Sequence, residues 1–269
     1  MVSNPLESAA VIALAGTQHR TKVFEHEGRR YVAKRLAERP RRLAQTLFTR
    51  WLVKRVTGQP LPLRTLALSQ AAHSMDYEAR RIRTLAAAGV RVPAIAFQCS
   101  GFFVLDYCGE VVSAQLEHWL PQQWRPQLLV LARELAEFHR AGQWHGGAQI
   151  KNVALKDGTS TRIDFEENFG EFLPLPVAQA TDLVLFLNSI SLAGPIDERE
   201  ARHLLPQLLD EYWSIHRDPA VRDVVARTLP WLRGVVAGAA PFKRWSKKGI
   251  RRVGILSDVL NDWLKKVRS

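Results

Sequence analysis

The sequence predicts an α+β protein of two lobes: a small antiparallel-sheet lobe over residues 1–110 and a mainly helical lobe over 111–269. Three observations predict it. Short β-type runs separated by turn signals concentrate before residue 110. Helical periodicity prevails after it. No internal repeat or low-complexity segment points to a solenoid or a disordered chain. With 269 residues, 46% of them hydrophobic, the chain can fill one large core or two closely packed ones.

The first lobe opens on an apolar run at 11–14, before Gly16, that reads as a strand. Residues 21–25 and 30–34 read as two strands closed by the turn His26-Glu27-Gly28. Residues 41–57 read as an amphipathic helix. Leu43, Leu47 and Trp51 form one apolar row and Ala44, Phe48, Leu52 and Val56 the next, with Arg41, Arg42, Lys54 and Arg55 turned away. A second helix is expected at 76–88, ended by Gly89. Pro93 then precedes a hairpin of 94–98 and 102–107 turned by Cys99-Ser100-Gly101. The lobes join near Cys108-Gly109-Glu110.

In the second lobe Pro126 fits a first helical position, and a helix runs through 128–141 to Gly142. Asp157-Gly158 marks a hairpin flanked by 153–155 and 161–163. From Ala178 the pattern is helical throughout. Residues 172–196 are apolar enough to be weighed as a membrane span. The span would bury Asp182 in lipid, at roughly 2.5–3.5 kcal/mol, and it holds Pro174, Pro176, Gln179 and Asn188. A helix at the centre of a soluble lobe is the expectation instead.

The net charge is +12 and unevenly placed. Residues 35–64 hold eight basic residues against Glu38, and 243–269 hold nine against Asp258 and Asp262, so each segment carries +7 and the remainder carries −2. The basic helical insertion (about 39–64) and the basic amphipathic tail (241–269) therefore point to an anionic partner: a membrane surface, a phosphorylated glycolipid or, less well, nucleic acid. Trp245 and Trp263 among lysines and arginines suit a membrane interface. They equally suit a packed helix with a solvated polar face. Cys99 and Cys108 suggest neither a disulfide framework nor a zinc site. The N-terminal residues carry no positive stretch ahead of an apolar run, so a cytoplasmic setting is expected, peripheral at the inner membrane in its finer form.

The chemistry concentrates in residues 145–152, His-Gly-Gly-Ala-Gln-Ile-Lys-Asn, and in Ile163-Asp164-Phe165-Glu166 beginning eleven positions after Asn152. Phosphoryl transfer requires the charge on a triphosphate to be neutralised and Mg²⁺ to be held by oxygen ligands. Asn152 offers a neutral oxygen and Asp164 a charged one, and the hairpin between them can bring both together. Lys34, at the end of a strand, supplies positive charge that Glu78 would keep oriented.

The spacing H-x-D-x-x-x-x-N followed by D-F-x resembles the protein-kinase-like superfamily, as does the order of parts over most of the chain. The resemblance implies ATP and Mg²⁺ as cofactors, with Asn152 and Asp164 as metal ligands. It implies Lys34 on the nucleotide phosphates with Glu78 as its partner, and Asp106 and Tyr107 at a hinge facing the base. His145, Gly147, Gln149, Asn152 and Asp164 fall in the catalytic positions. Asp182 would pin the backbone of the catalytic loop. Gly16 with Thr17 is all that could serve as a phosphate loop.

There are departures. Gly147 stands where the family has its aspartate base, and Gln149 could position an acceptor but cannot take a proton. Glu166 replaces a glycine, and Lys34 lies 44 residues from Glu78. The Asp-Phe-Glu form is similar to small-molecule kinases of the choline and aminoglycoside type. The basic insertion and tail resemble bacterial lipopolysaccharide-core kinases, which phosphorylate heptose or Kdo sugars at the inner membrane. Three functions stay open: a phosphotransferase acting on an anionic glycolipid or small molecule, a pseudokinase that binds a nucleotide or partner without turnover, and a basic membrane or nucleic-acid binder.

Overall fold

The computed structural model describes residues 4–35, 50, 54, 71–239 and 247–268. Its first element corrects the sequence reading. Residues 11–14 belong to helix α1 (Pro5–Ala15), not to a strand. Asn4 caps it by accepting the Leu6 N–H (3.0 Å), and Pro5 takes the first helical position. Leu6, Ala10 and Leu14, spaced by four, turn one face of this helix onto the sheet.

That sheet has four antiparallel strands in the order β1-β2-β4-β3: β1 (Thr21–His26), β2 (Arg29–Arg35), β3 (Ile95–Gln98) and β4 (Phe102–Asp106). Glu27 and Gly28 both have positive φ (50° and 71°), the two-residue turn that matches the strand twist. Strand β4 is buried on both faces. Phe102 and Val104 meet α1, while Phe103 and Leu105 join the main core with Ile82 and Leu85 of α2 (Ala71–Ala87). Of the helix expected at 41–57 only Arg50 and Lys54, both helical, fall among the described residues, and most of the basic insertion lies outside them.

After Gly109 the chain forms a short strand β5 (Glu110–Val111), which pairs with β6 (Val153–Lys156) and through it with β7 (Thr159–Arg162). Gly109 has φ +106°, and a side chain there would collide with the Leu155 carbonyl. Between β5 and β6 lie α3 (Val112–Gln115) and α4 (Pro121–Arg140). Pro126 is therefore inside α4 and not at its start. Pro121 holds the first position, and Gln123 accepts the Leu120 N–H (2.9 Å) to satisfy the helix entry.

Four helices complete the second lobe: α5 (Leu175–Ile190), α6 (Glu198–Ile215), α7 (Pro219–Ala239) and α8 (Lys247–Arg268). The apolar segment around Asp182 is the buried α5. Among the described residues no helix is long and apolar enough to cross a membrane. Over its described residues, 247–268, the tail is a packed helix. Ile255, Leu256, Leu260, Trp263 and Leu264 of α8 are buried against the lobe. Trp263 packs edge-on to Trp213 (5.6 Å) and donates Nε1–H to Asp210 (2.9 Å). Arg251 pairs with Glu198 (2.9 Å) and Lys266 with Asp210 (2.9 Å), leaving a charged, solvated outer face. Trp263→Ala is expected to lower stability by about 3–5 kcal/mol, read from the urea unfolding midpoint. A loss below about 1 kcal/mol would mean that α8 does not close the lobe.

Candidate active site

Lys34 is 5% exposed on β2, and an ammonium at that depth requires partners. It has three. Nζ donates to both carboxylate oxygens of Glu78 on α2 (2.8 Å each) and to Asp164 Oδ1 just beyond β7 (2.5 Å); Glu166 lies at 3.8 Å. Burial pushes the lysine toward losing its proton, but Glu78, Asp164 and Glu166 outweigh it and hold the pKa above its ordinary value. Asp164 is pulled the other way: burial raises its carboxyl, and Lys34 and Arg20 bring it below the usual carboxylate range. Burial raises the Glu78 carboxyl above the usual carboxylate range, with Lys34 opposing it.

The segment that begins at His145 is anchored from α5. Asp182 is fully buried and accepts the backbone N–H of His145 (2.5 Å) and of Gly146 (2.9 Å), with His139 Nε2 at 3.5 Å. Burial raises its carboxyl, but His139, His145 and these amides hold it low, so an anion sits in a mostly apolar helix. Gly146 has φ +92°, and a Cβ there would come within 2.8 Å of Glu167. The helix that holds Lys34 also holds this loop: Arg81, one turn beyond Glu78, donates to the Trp144 carbonyl (2.8 Å).

His145 spends both ring nitrogens inside the protein. Nδ1 accepts the Gly147 N–H (3.1 Å), Nε2 donates to the Ile163 carbonyl (3.0 Å), and the ring stacks on Phe165 (4.4 Å). Burial pushes its pKa down to about 4, so the ring is neutral and joins the loop to the segment after β7 that carries Asp164. Asp164 itself adopts φ +68°, an unusual conformation for a residue with a side chain.

A cavity of about 340 Å³ brings most of the expected residues together. Lys34, Glu78, Asp106, Tyr107, Asn152 and Asp164 all line it, and Val32, Leu105, Val111 and Ala154 supply an apolar wall. Asp106 and Tyr107 spend their backbone N–H groups on Ala94 (2.9 Å) and Arg30 (3.2 Å). Asn152 donates Nδ2 to the Gly147 carbonyl (2.8 Å), which leaves Oδ1 as its available ligand atom. A Cβ at Gly147 would lie 3.3 Å from that Nδ2, so the position borders the cleft but carries nothing into it. Gln149 is partly buried and not among the lining residues. Gly16 is not either. It ends α1, with its N–H on the Ile12 carbonyl (3.3 Å), and a phosphate-loop role does not follow from that placement.

Three lining or neighbouring residues were not singled out from the sequence as site residues: Arg20, Lys151 and Glu166. Arg20 pairs with Glu166 (2.6 Å) across the cleft. Glu166 lies two residues beyond Asp164 in the chain, close enough for both to reach Lys34. A larger concavity of about 650 Å³ at Arg125, Arg199, Arg202 and His203 is open surface. Two of its arginines are matched, Arg125 with Glu200 (2.6 Å) and Arg202 with Glu198 and Asp258 (3.1 Å each).

Carboxylate oxygens of Glu78, Asp164 and Glu166 lie within 4.8 Å of one another. Glu78 is committed to Lys34. The remaining hard oxygens, with Asn152 Oδ1, are a donor set that suits Mg²⁺.

No family model and no curated protein matches the sequence. Solved structures similar to this chain include one described as WaaP in complex with acyl carrier protein, at 16% identity over 94% of this chain and 92% of that one (TM-score 0.43). Another is a gentamicin–APH(2")-IIa complex, at 13% identity over 90% of each chain (TM-score 0.44). A third is vaccinia related kinase 3, at 15% identity over 93% of this chain and 84% of that one (TM-score 0.31). The fold is protein-kinase-like on its own architecture: a small antiparallel sheet with one helix beneath its lysine, a hinge, and a helical lobe whose buried aspartate holds the His145 loop.

The buried neutral ring of His145 carries a pH dependence. The unfolded chain binds a proton below about pH 6.5, while the folded ring resists it until about 4. Its contribution is complete above pH 6.5 and is lost as pH falls toward 4, by up to about 3 kcal/mol. His139, pushed down by burial too, adds to the same fall. Urea midpoints taken between pH 7 and 4 are expected to drop, and to drop less in His145→Gln. Equal slopes in the two proteins would remove His145 as the cause.

Proposed function

We propose that this chain is a nucleotide-dependent phosphotransferase that uses ATP and Mg²⁺. The observation that carries the reading is the placement of Lys34, between Glu78 and Asp164, at a cavity that Asn152 also lines. In this reading Lys34 neutralises nucleotide phosphate, Asn152 Oδ1 and Asp164 hold the cation, and Val32 and Leu105 cover the base. The cation would supply charge neutralisation at the transferred phosphoryl group. Asp182 and His145 keep the loop fixed so that these donors need no reorganisation on binding.

Gly147 leaves the acceptor without a protein base. A positioned base contributes typically ~10²–10⁴-fold, and positioning with metal electrostatics contributes more in a loose transition state. The reading is therefore a slow kinase. We place its acceptor among anionic molecules, with a lipopolysaccharide-core sugar foremost. The charge of +12 and the exposed Lys151 at the cleft support this. Gly147 is also the observation that favours a second reading, a pseudokinase that binds the nucleotide without turnover.

Mg-ATP at about 100 times its Kd is expected to stabilise the protein by about 2.7 kcal/mol, seen as a raised melting temperature that Lys34→Ala and Asp164→Ala abolish. An unchanged melting temperature in the unaltered protein would end the nucleotide reading. Gly147→Asp needs Asn152 to yield only a few tenths of an ångström. It is expected to raise ADP release from ATP by roughly 10²-fold. Nucleotide binding with no ADP release from either protein would leave the pseudokinase as the function.

A further inference from the structure

We propose that Arg20 is a phosphate-contacting residue of the nucleotide site, taking the part that backbone amides of a glycine-rich loop would otherwise play. The inference rests on the nucleotide reading above and adds a residue to it. Its starting point is the segment between α1 and β1. The amides there are already engaged: Gly16 N–H on the Ile12 carbonyl (3.3 Å), Thr17 N–H on the Leu14 carbonyl (3.1 Å) and His19 N–H on Thr17 Oγ1 (3.1 Å). Arg35 holds the same segment from outside, through Nη1 on the Thr17 carbonyl (2.9 Å) and Nη2 on the Leu14 carbonyl. A loop tied down in this way has few N–H groups to turn toward an anion.

It has a guanidinium instead. Arg20 lines the cavity beside Lys34 and Asp164. Its backbone carbonyl accepts the Arg35 N–H (2.8 Å), and its Nε donates back to the Arg35 carbonyl (3.2 Å), so the stem is fixed at the end of the β1–β2 ladder. Nη1 pairs with Glu166 (2.6 Å). The side chain is one-third exposed. A planar fork pinned at its stem and partly open to the cleft suits recognition of phosphate.

The local charge calls for it. The three carboxylates of Glu78, Asp164 and Glu166 outnumber the two cations beside them, Lys34 and Arg20, and the lysine is already shared between two carboxylates at bonding distance. A polyphosphate arriving there needs a second cation. Arg20 supplies it by exchanging Glu166, a partner exposed to a similar degree and therefore cheap to release.

The test is the affinity for ATP, ADP and AMP, each with Mg²⁺, measured by calorimetry on the unaltered protein, Arg20→Ala and Arg20→Lys. A phosphate contact predicts that Arg20→Ala weakens ATP by about 10–100-fold and leaves AMP within about twofold, with ADP at or between these limits. Arg20→Lys, which keeps the charge without the fork, should recover part of the loss. It also carries the test if the alanine variant does not fold. Equal weakening of all three nucleotides would make Arg20 a structural latch, and an unchanged ATP affinity would mean that it makes no contact; either overturns the proposal. If the unaltered protein binds none of the three, the nucleotide reading itself has failed, and this inference with it.

Discussion

A buried ammonium must be surrounded by negative charge or lose its proton, and the arrangement of this protein follows from meeting that demand at Lys34. Its partners come from two other parts of the chain: helix α2 through Glu78, and the segment after β7 through Asp164 and Glu166. Removing one carboxylate would leave the others mismatched in a poorly solvated place, which ties the two lobes together through a charge requirement as well as through apolar contact. Arg20 and Glu166 extend the cluster to the rim of the cleft.

A second anchor lies deeper. Asp182 is the one acid in a helix whose inward residues are mostly apolar, and its cost is offset by the two backbone amides it receives from the His145 loop. His145 then passes the constraint on through Ile163 and Phe165 to Asp164. The loop is thus held at both His145 and Gly146 from beneath and through the His145 ring from the side. What it lacks at Gly147 is a titratable group and not an architecture, and Asn152 remains oriented by the Gly147 carbonyl.

Much of this was legible in the sequence, for identifiable reasons. The hairpins at Glu27-Gly28 and Asp157-Gly158 follow from local turn chemistry, and both form as two-residue turns with positive φ. Asp182 was legible because a lone acid in an apolar helix demands an explanation. Other features depend on contacts that a linear pattern does not encode. The apolar run at 11–14 reads equally as strand or helix; the cap at Asn4-Pro5 decides for the helix. Pro126 looked like a helix start because Pro121 does the same job five residues earlier. The α8 tail reads as an interface helix or a core helix until its neighbours are known, since Trp263 satisfies either. Gly16 was chosen for being a glycine, whereas the group placed at the cleft is the arginine four residues on. No spacing rule points to an arginine, and only the fold sets it opposite Glu166.

The claim at the centre is that Asn152 and Asp164 serve one cation beside the phosphates that Lys34 neutralises. A crystal structure with Mn²⁺ and a non-hydrolysable ATP analogue tests it most directly, because manganese is identified by its own anomalous signal. The account predicts that signal within bonding distance of both Asn152 Oδ1 and the Asp164 carboxylate, with the phosphates against Lys34. Manganese and nucleotide seated elsewhere, or an ion bound by Asp164 with Asn152 turned away, would contradict it.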